Sequence, residues 1–316
     1  MIEDKLKTNI ELAPYTTFQI GGKAKFFIEI SQDEELEEIC RWARKAGEKV
    51  VFLGGGSNIL VSDKGFNGVV IRLVNNSIDI CENKIECGAG ALLLQVAHSS
   101  VGRCLSGLEW SFGIPRATIG GTIRGNAGAF GKAIGDIVES VKAFNFETGE
   151  FKTFSKNDCQ FKYRGSFFKD NPQYLLWSAV LKFESKSKEE INETVEKNIS
   201  ARFKTQPKLP SAGCVFKNIL VDDLKEINHS LFDFISREIE IKGDKIGAGY
   251  LVDLAGLKGK TIGGAKISLE HGSFVVNTAK ASAADVKQLI ELVKKSIKDR
   301  FGLTLEEEVQ YVGFDD

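Results

Sequence analysis

The stretch Gly113–Gly131, GIPRATIGGTIRGNAGAFG, sets glycines at 113, 120, 121, 125, 128 and 131 among apolar residues. Its only titratable groups are Arg116 and Arg124, and Asn126 stands in the middle as a hydrogen-bond donor. A second run, FLGGGSNILVSD (Phe52–Asp63), follows the strand-like KVVFLG. It strips the side chains from Gly54, Gly55 and Gly56 before the short polar Ser57 and Asn58. Taken alone, GGGSN reads equally as a tight turn or as a concavity of backbone N–H groups suited to phosphate oxygens. Two such loops mean backbone in close approach to something. That partner is either a long diphosphate-bearing ligand clamped along its length, or another part of the chain.

Two other glycine motifs lead nowhere. GAGALL has Gly88 and Gly90, but Leu93 holds the place of the third glycine of a dinucleotide fingerprint. GLKGKT ends like a phosphate-binding P-loop, yet Leu254 stands where its first glycine belongs.

The 316 residues are enough for two or three domains. Glycine is high at 32 and proline low at 5. With 42 Lys+Arg against 43 Asp+Glu the net charge is −1, so no global field favours nucleic acid or a membrane surface. MIEDKLKTNIELAPY has no apolar core or small-residue cleavage site, and no run reaches the ~18 apolar residues of a membrane helix. The expectation is a cytoplasmic protein. Cys40, Cys81, Cys87, Cys104, Cys159 and Cys214 form no CxxC pair, so reduced thiols are expected and no metal site.

Periodicity predicts three helices. SQDEELEEICRWARKAG opens with a Ser31/Glu34 capping box, carries Leu36, Ile39, Cys40 and Ala43 at helical spacing, and stops at Gly47. SKEEINETVEKNISARF repeats the box with Ser187 and Glu190, and sets Ile191, Val195, Ile199 and Phe203 on one face. SAADVKQLIELVKKSIKDRFG carries Val286, Leu289, Ile290, Val293 and Ile297, with Gly302 as C-cap. KVVFLG, GVVIRL, SVKAFNF, YLLWSAVLKFE and GSFVVN read as strands, and the mixed order predicts an α+β fold in segregated layers. KTQPKLPSAG reads as a linker, giving a first module over 15–185, itself split near 70, and a second over 200–316.

TTFQIGGKAKFF, FLGGGSNILVSD, GLEWSFGIPRATIGGTIRGNAGAFG, FKYRGSFFK, PSAGCVFKN, GYLVDLAGLKGKTIGGAKIS and LEEEVQYVG occur in an order that resembles the UDP-N-acetylenolpyruvoylglucosamine reductase (MurB) family. The resemblance runs from Thr16 to Gly313 and is to the shorter branch of that family, which lacks an insertion near the active site. It implies an FAD-binding module of the vanillyl-alcohol-oxidase (PCMH) type, then an α+β substrate-binding domain. It also implies a monomeric enzyme in which NADPH reduces FAD, and the flavin reduces the enolpyruvyl ether of UDP-N-acetylglucosamine to UDP-N-acetylmuramate. The rival readings are an FAD-dependent oxidase on the same module and a non-catalytic nucleotide-binding protein.

Carried over by position, Gly54, Gly55, Gly56, Ser57 and Asn58 would hold the FAD diphosphate. Gly113, Pro115, Thr118, Gly120, Gly121, Asn126, Gly128 and Ala129 would line the rest of the flavin site, bordered by Thr17, Ile20, Gly21 and Gly22. Neither glycine cluster holds a histidine or cysteine, so the flavin is expected to bind without a covalent link. Arg164 would grip the substrate carboxylate and stabilise the enolate. Glu308 would orient the acid or polarise the enol, and Tyr163, Lys217 and Asn218 would bind substrate. Gly165 replaces the expected acidic residue. Cys214 stands where most members of the family carry serine, the proton donor to the α-carbon. On its own it would read as a buried inert thiol. His271, in LEHGSF, is a candidate neighbour of the site.

Overall fold

Alternation in KAKFFIEI and an almost unbroken apolar run in FNGVVIRL mark two strands buried on one or both faces. Lys23–Ile30 and Val50–Leu53 both lie parallel to Phe66–Leu73, in a four-stranded sheet completed by Lys7–Glu11. Parallel neighbours need a crossover. The helix Asp33–Ala46 crosses from Lys23–Ile30 to Val50–Leu53, on the far side of Phe66–Leu73, burying Leu36, Ile39, Cys40 and Ala43 as the spacing predicts. The computed structural model describes residues 2–241 and 243–314.

A second sheet is antiparallel throughout, in the order Glu150–Ser155, Val138–Asn145, Tyr174–Lys182, Lys84–Gly88, Ile78–Cys81. Ile30, Leu36, Ile71, Ile85, Phe144 and Leu181 join one apolar core that serves both sheets. Together these elements make one compact unit: Met1–Ile10, Lys23–Gly56 and Phe66–Phe203.

The other unit comprises Glu11–Gly22, Ser57–Gly65 and Lys204–Asp316. Its antiparallel sheet runs Ser211–Cys214, Phe274–Asn277, Ala265–Ile267, Thr261–Ile262. The helix Ala283–Phe301 buries Val286, Leu289, Ile290, Val293 and Ile297 in the core of this unit. A division into 15–185 and 200–316 puts residues 15–22 and 57–65 in the first module; the structure builds them into the second unit. Phe18 and Ile20 are buried in its core, and Ile59–Val61 pairs in parallel with Gln310–Val312.

Two local expectations need correction. The first helix begins at Asp33, so Gln32 is its N-cap and the reciprocal carboxylate is Glu35, which accepts from the Ser31 and Gln32 amides; Glu34 is not the partner. Phe203 is 73% exposed and does not extend the buried face. Steps of four residues drift by about 40° each at 3.6 residues per turn, so Phe203 lies about 120° round from Ile191. The Ser187/Glu190 box forms as read, and the structure adds a cap at Ser282, whose hydroxyl accepts the Asp285 amide.

Ser282→Ala removes a cap whose hydroxyl accepts the Asp285 amide, and is expected to cost about 1 kcal/mol. Leu289→Ala, at a fully buried position, is expected to cost about 2–5 kcal/mol. Urea denaturation midpoints at constant slope check both values.

Candidate active site

The strand Val50–Leu53 delivers Gly54–Gly56 directly onto residues 116–118, within the first unit. A Cβ on Gly55 would lie 1.4 Å from the Arg116 carbonyl oxygen, and one on Gly54 would lie 2.4 Å from Thr118 Oγ1. Both loops are therefore bare partly because they press on each other. The short helix Ile119–Arg124 is seated in the same way, with a Cβ on Gly120 reaching 3.0 Å from that of Ala89. A Cβ on Gly128 would fall 2.1 Å from the Lys132 carbonyl oxygen.

Close packing here leaves the Thr118 hydroxyl unsatisfied. Thr118 is 6% exposed, and its hydroxyl has no hydrogen-bond partner among the described residues. A buried donor of this kind implies a partner supplied from outside the chain. Backbone strain collects in the same region. Arg116, Asn126, Phe130 and Arg164 have φ of 55°, 42°, 53° and 54°, values that non-glycine residues rarely adopt and that cluster at binding sites.

Asn126 is a brace. Its Nδ2 donates to the Lys162 carbonyl at 2.9 Å, and its Oδ1 accepts the Gly135 amide at 3.0 Å. Arg164 is half-buried; its Nη1 donates to the Gly128 carbonyl at 3.0 Å and its guanidinium lies 5.6 Å from the Tyr163 ring centre. Position 165 is glycine in a tight bridge between Lys162 and Gly165, where a Cβ would meet the Lys162 side chain at 2.8 Å. Gly113 and Pro115 are exposed at the start of the loop, and Gly121 and Ala129 are flanking small residues. Arg202 escaped the sequence reading. It donates to the Trp110 carbonyl at 2.8 Å and stacks 5.4 Å from the centre of Phe130. A polar pair at i,i+4 with Asn198, which holds the Glu109 carbonyl, was the available signal.

The second unit assembles the other candidates. A register shift between Ser211 and Cys214 breaks the ladder with Phe274–Asn277, and Gly213 takes φ 78° there. Such a bulge re-aims the following side chain. Cys214 is half-buried and pairs with Phe274. One residue on, the Val215 carbonyl accepts the Glu308 amide at 2.8 Å, so Cys214 and Glu308 ride on neighbouring, hydrogen-bonded segments. Asn58 ties in as well: its Nδ2 donates to the Glu308 carbonyl at 3.1 Å and its own carbonyl accepts from Gln310 at 3.0 Å. Lys217 pairs with Glu306 at 2.8 Å, and Asn218 Oδ1 accepts the Ala248 amide at 3.3 Å.

Thiol environments separate the cysteines. Burial pushes Cys40, Cys87 and Cys159 up to about 12, which keeps them protonated and inert. His271 is a structural neighbour of the Cys214 strand: its Nδ1 accepts the Ser273 amide at 3.2 Å, and burial lowers its pKa. The two rejected glycine motifs are packing turns, with a Cβ on Gly88 falling 2.0 Å from the Asn75 carbonyl oxygen and the Gly259 amide bonded to Ile267. No group of His, Cys, Asp and Glu among the described residues is arranged to hold a metal.

Residues 24–155 match an FAD binding domain, and residues 205–312 match the UDP-N-acetylenolpyruvoylglucosamine reductase C-terminal domain. UDP-N-acetylenolpyruvoylglucosamine reductase of Synechococcus sp. (strain JA-3-3Ab) is 34% identical over 100% of this chain and 94% of its own length. The Bacillus subtilis (strain 168) reductase is 36% identical over 98% and 94%. The crystal structure of MurB from Thermus caldophilus superposes with a TM-score of 0.76 at 34% identity, covering 96% of this chain and 97% of that one. The chain is thus an FAD-containing oxidoreductase of the expected class, a PCMH-type flavin module followed by an α+β domain. It belongs to the UDP-N-acetylenolpyruvoylglucosamine reductase family.

The residues fit the flavin. The buried Thr118 hydroxyl, beside Gly54, lacks a protein partner among the described residues and is placed to meet an external acceptor. Thr118→Val keeps the shape and removes the unpartnered hydroxyl, so the flavin-free protein is expected to melt at the same temperature or higher. FAD affinity is expected to fall roughly 5- to 30-fold, the loss of one hydrogen bond of about 1–2 kcal/mol. Differential scanning fluorimetry and a flavin fluorescence titration measure the two opposed effects.

Proposed function

We propose that this protein catalyses the NADPH-dependent reduction of UDP-N-acetylenolpyruvoylglucosamine to UDP-N-acetylmuramate, a step in the synthesis of peptidoglycan precursors. The reading is supported by family membership over the whole chain. The observation that carries it is the hydrogen bond from the Glu308 amide to the Val215 carbonyl, which seats an acid–carboxylate pair on adjoining backbone. We assign FAD to Gly54–Asn58, Gly113, Pro115, Thr118, Gly120, Gly121, Asn126, Gly128 and Ala129, held without a covalent link. Asn126 serves by bracing its loop. No helix among the described residues is long and apolar enough to cross a membrane, and the proposed setting is the cytoplasm, with the protein acting as a monomer.

FAD held by these residues would supply hydride transfer between NADPH and the enolpyruvyl β-carbon. Negative charge then develops on the α-carbon and the adjoining carboxylate. Arg164, in the first unit, is the group for that carboxylate, because its planar fork matches two oxygens and keeps its charge. Tyr163 lies against the guanidinium and limits its orientation. In the second unit, Cys214 delivers a proton to the α-carbon, and Glu308 orients the donor or polarises the forming enol. Lys217 and Asn218 follow the donor by three and four residues and are assigned to the UDP portion of the substrate. Lys217 must exchange its exposed Glu306 partner for phosphate, which costs little because surface ion pairs are weak.

Rapid mixing under anaerobic conditions separates flavin reduction by NADPH from substrate reduction. Cys214→Ala is expected to slow the substrate half-reaction by roughly 10²–10⁴-fold and leave flavin reduction nearly unchanged. Cys214→Ser is expected to recover much of that loss. An alanine variant with the native rate overturns the assignment.

Arg164→Lys retains charge and loses the fork. Substrate reduction is expected to slow far more than flavin reduction; an equal fall in both marks Arg164 as structural.

A further inference from the structure

LEEEV offers three consecutive carboxylates, Glu306, Glu307 and Glu308, of identical chemistry. In extended backbone alternate residues share a face, so Glu307 falls on the side of Leu305 and Val309, which are 2% and 3% exposed. The Glu307 side chain is accordingly only 18% exposed, against 73% for Glu306. Glu307 has the partners such a position requires. Lys294 Nζ, on the long helix Ala283–Phe301, meets Oε1 at 2.7 Å, and the Tyr311 hydroxyl donates to Oε2. Lys294 is itself braced by Glu291 at 3.1 Å.

The backbone bonds here do not by themselves choose between the three glutamates. The Lys217 amide donates to the Glu306 carbonyl, the Glu308 amide to the Val215 carbonyl, and Phe216 faces Glu307. A slip of one residue would preserve bonds of this kind while turning every side chain to the opposite face. It would bring a different carboxylate to the Cys214 strand.

We infer that Glu307, pinned by Lys294 and Tyr311, is a positioning residue that sets the register of residues 306–308 and thereby selects Glu308 as the carboxylate beside Cys214. This rests on the role proposed above for Glu308. Glu307 touches no reacting atom in this reading and acts only through its neighbour.

The test is a double-mutant cycle in the flavin-loaded enzyme, read as the rate of substrate reduction. Glu307→Ala is expected to slow that step roughly 10- to 100-fold, as misplacement of a catalytic group by about 1 Å does. Flavin reduction by NADPH should stay within about twofold of native. Glu307→Gln, which still accepts from Tyr311, should recover part of the loss. In a Glu308→Ala background the same Glu307→Ala change should cost nothing further, because there is no carboxylate left to position. Full additivity of the two changes, or a native rate in Glu307→Ala, overturns the inference while leaving Glu308 in place. A native rate in Glu308→Ala removes the role of Glu308 and the inference with it. Should Glu307→Ala not fold, Tyr311→Phe, which deletes one of the two pins, replaces it in the same cycle with the same criteria.

Discussion

The contact between Gly55 and the carbonyl of Arg116 admits no side chain, because the obstacle is backbone at 1.4 Å from any added Cβ. Much of the first unit follows from that approach. Arg116 must sit at φ 55°, which costs energy in a non-glycine residue. The cost is borne by rigid neighbours: the parallel sheet through Val50–Leu53 on one side, and on the other Ile119 and Gly120, whose amides bond the Ala91 and Ala89 carbonyls at 2.9 Å. Thr118 is carried to a position where its hydroxyl has no protein partner. The loops are shaped first by packing against each other.

The second unit solves its problem with peptide hydrogen bonds. Residues 215–217 and 306–308 are joined as a short antiparallel pair, and Asn58 and Gln310 tie the Glu308 carbonyl from the other side. Three neighbouring glutamates then receive different fates. Glu306 stays exposed and pairs with Lys217, Glu307 is half-buried between a lysine and a phenol, and Glu308 joins the segment beside the bulged cysteine strand. Environment does the same to the thiols, raising those of Cys40, Cys87 and Cys159 by burial and leaving Cys214 half-buried at the end of a broken ladder.

Departures from the sequence reading share a cause. Asn126 stands out in the sequence only as a ligand donor, and its bracing bonds to Lys162 and Gly135 could not be read there. Those partners lie nine and thirty-six residues away, and no local pattern announces them. The value of Glu307 was hidden in the same way, since a run of glutamates reads as a solvated surface until Lys294 and Tyr311 come into place.

By itself the sequence determined what depends on a few consecutive residues. The helices Asp33–Ala46 and Ala283–Phe301, their left-handed Gly47 and Gly302 ends, the strand segments and the two bare loops were all legible, because 3.6- and 2-residue periods encode which face is buried. The ordered motifs also carried the family. Only the tertiary structure decided that Glu11–Gly22 and Ser57–Gly65 belong with the C-terminal unit, that the glycines of one loop are required by the carbonyl of another, and that Glu307 is held by Lys294 and Tyr311. The Asn58–Glu308 bond joins residues 250 positions apart. Such pairings are set by burial and hydrogen bonding summed over the whole chain, and they leave no periodic trace in either partner.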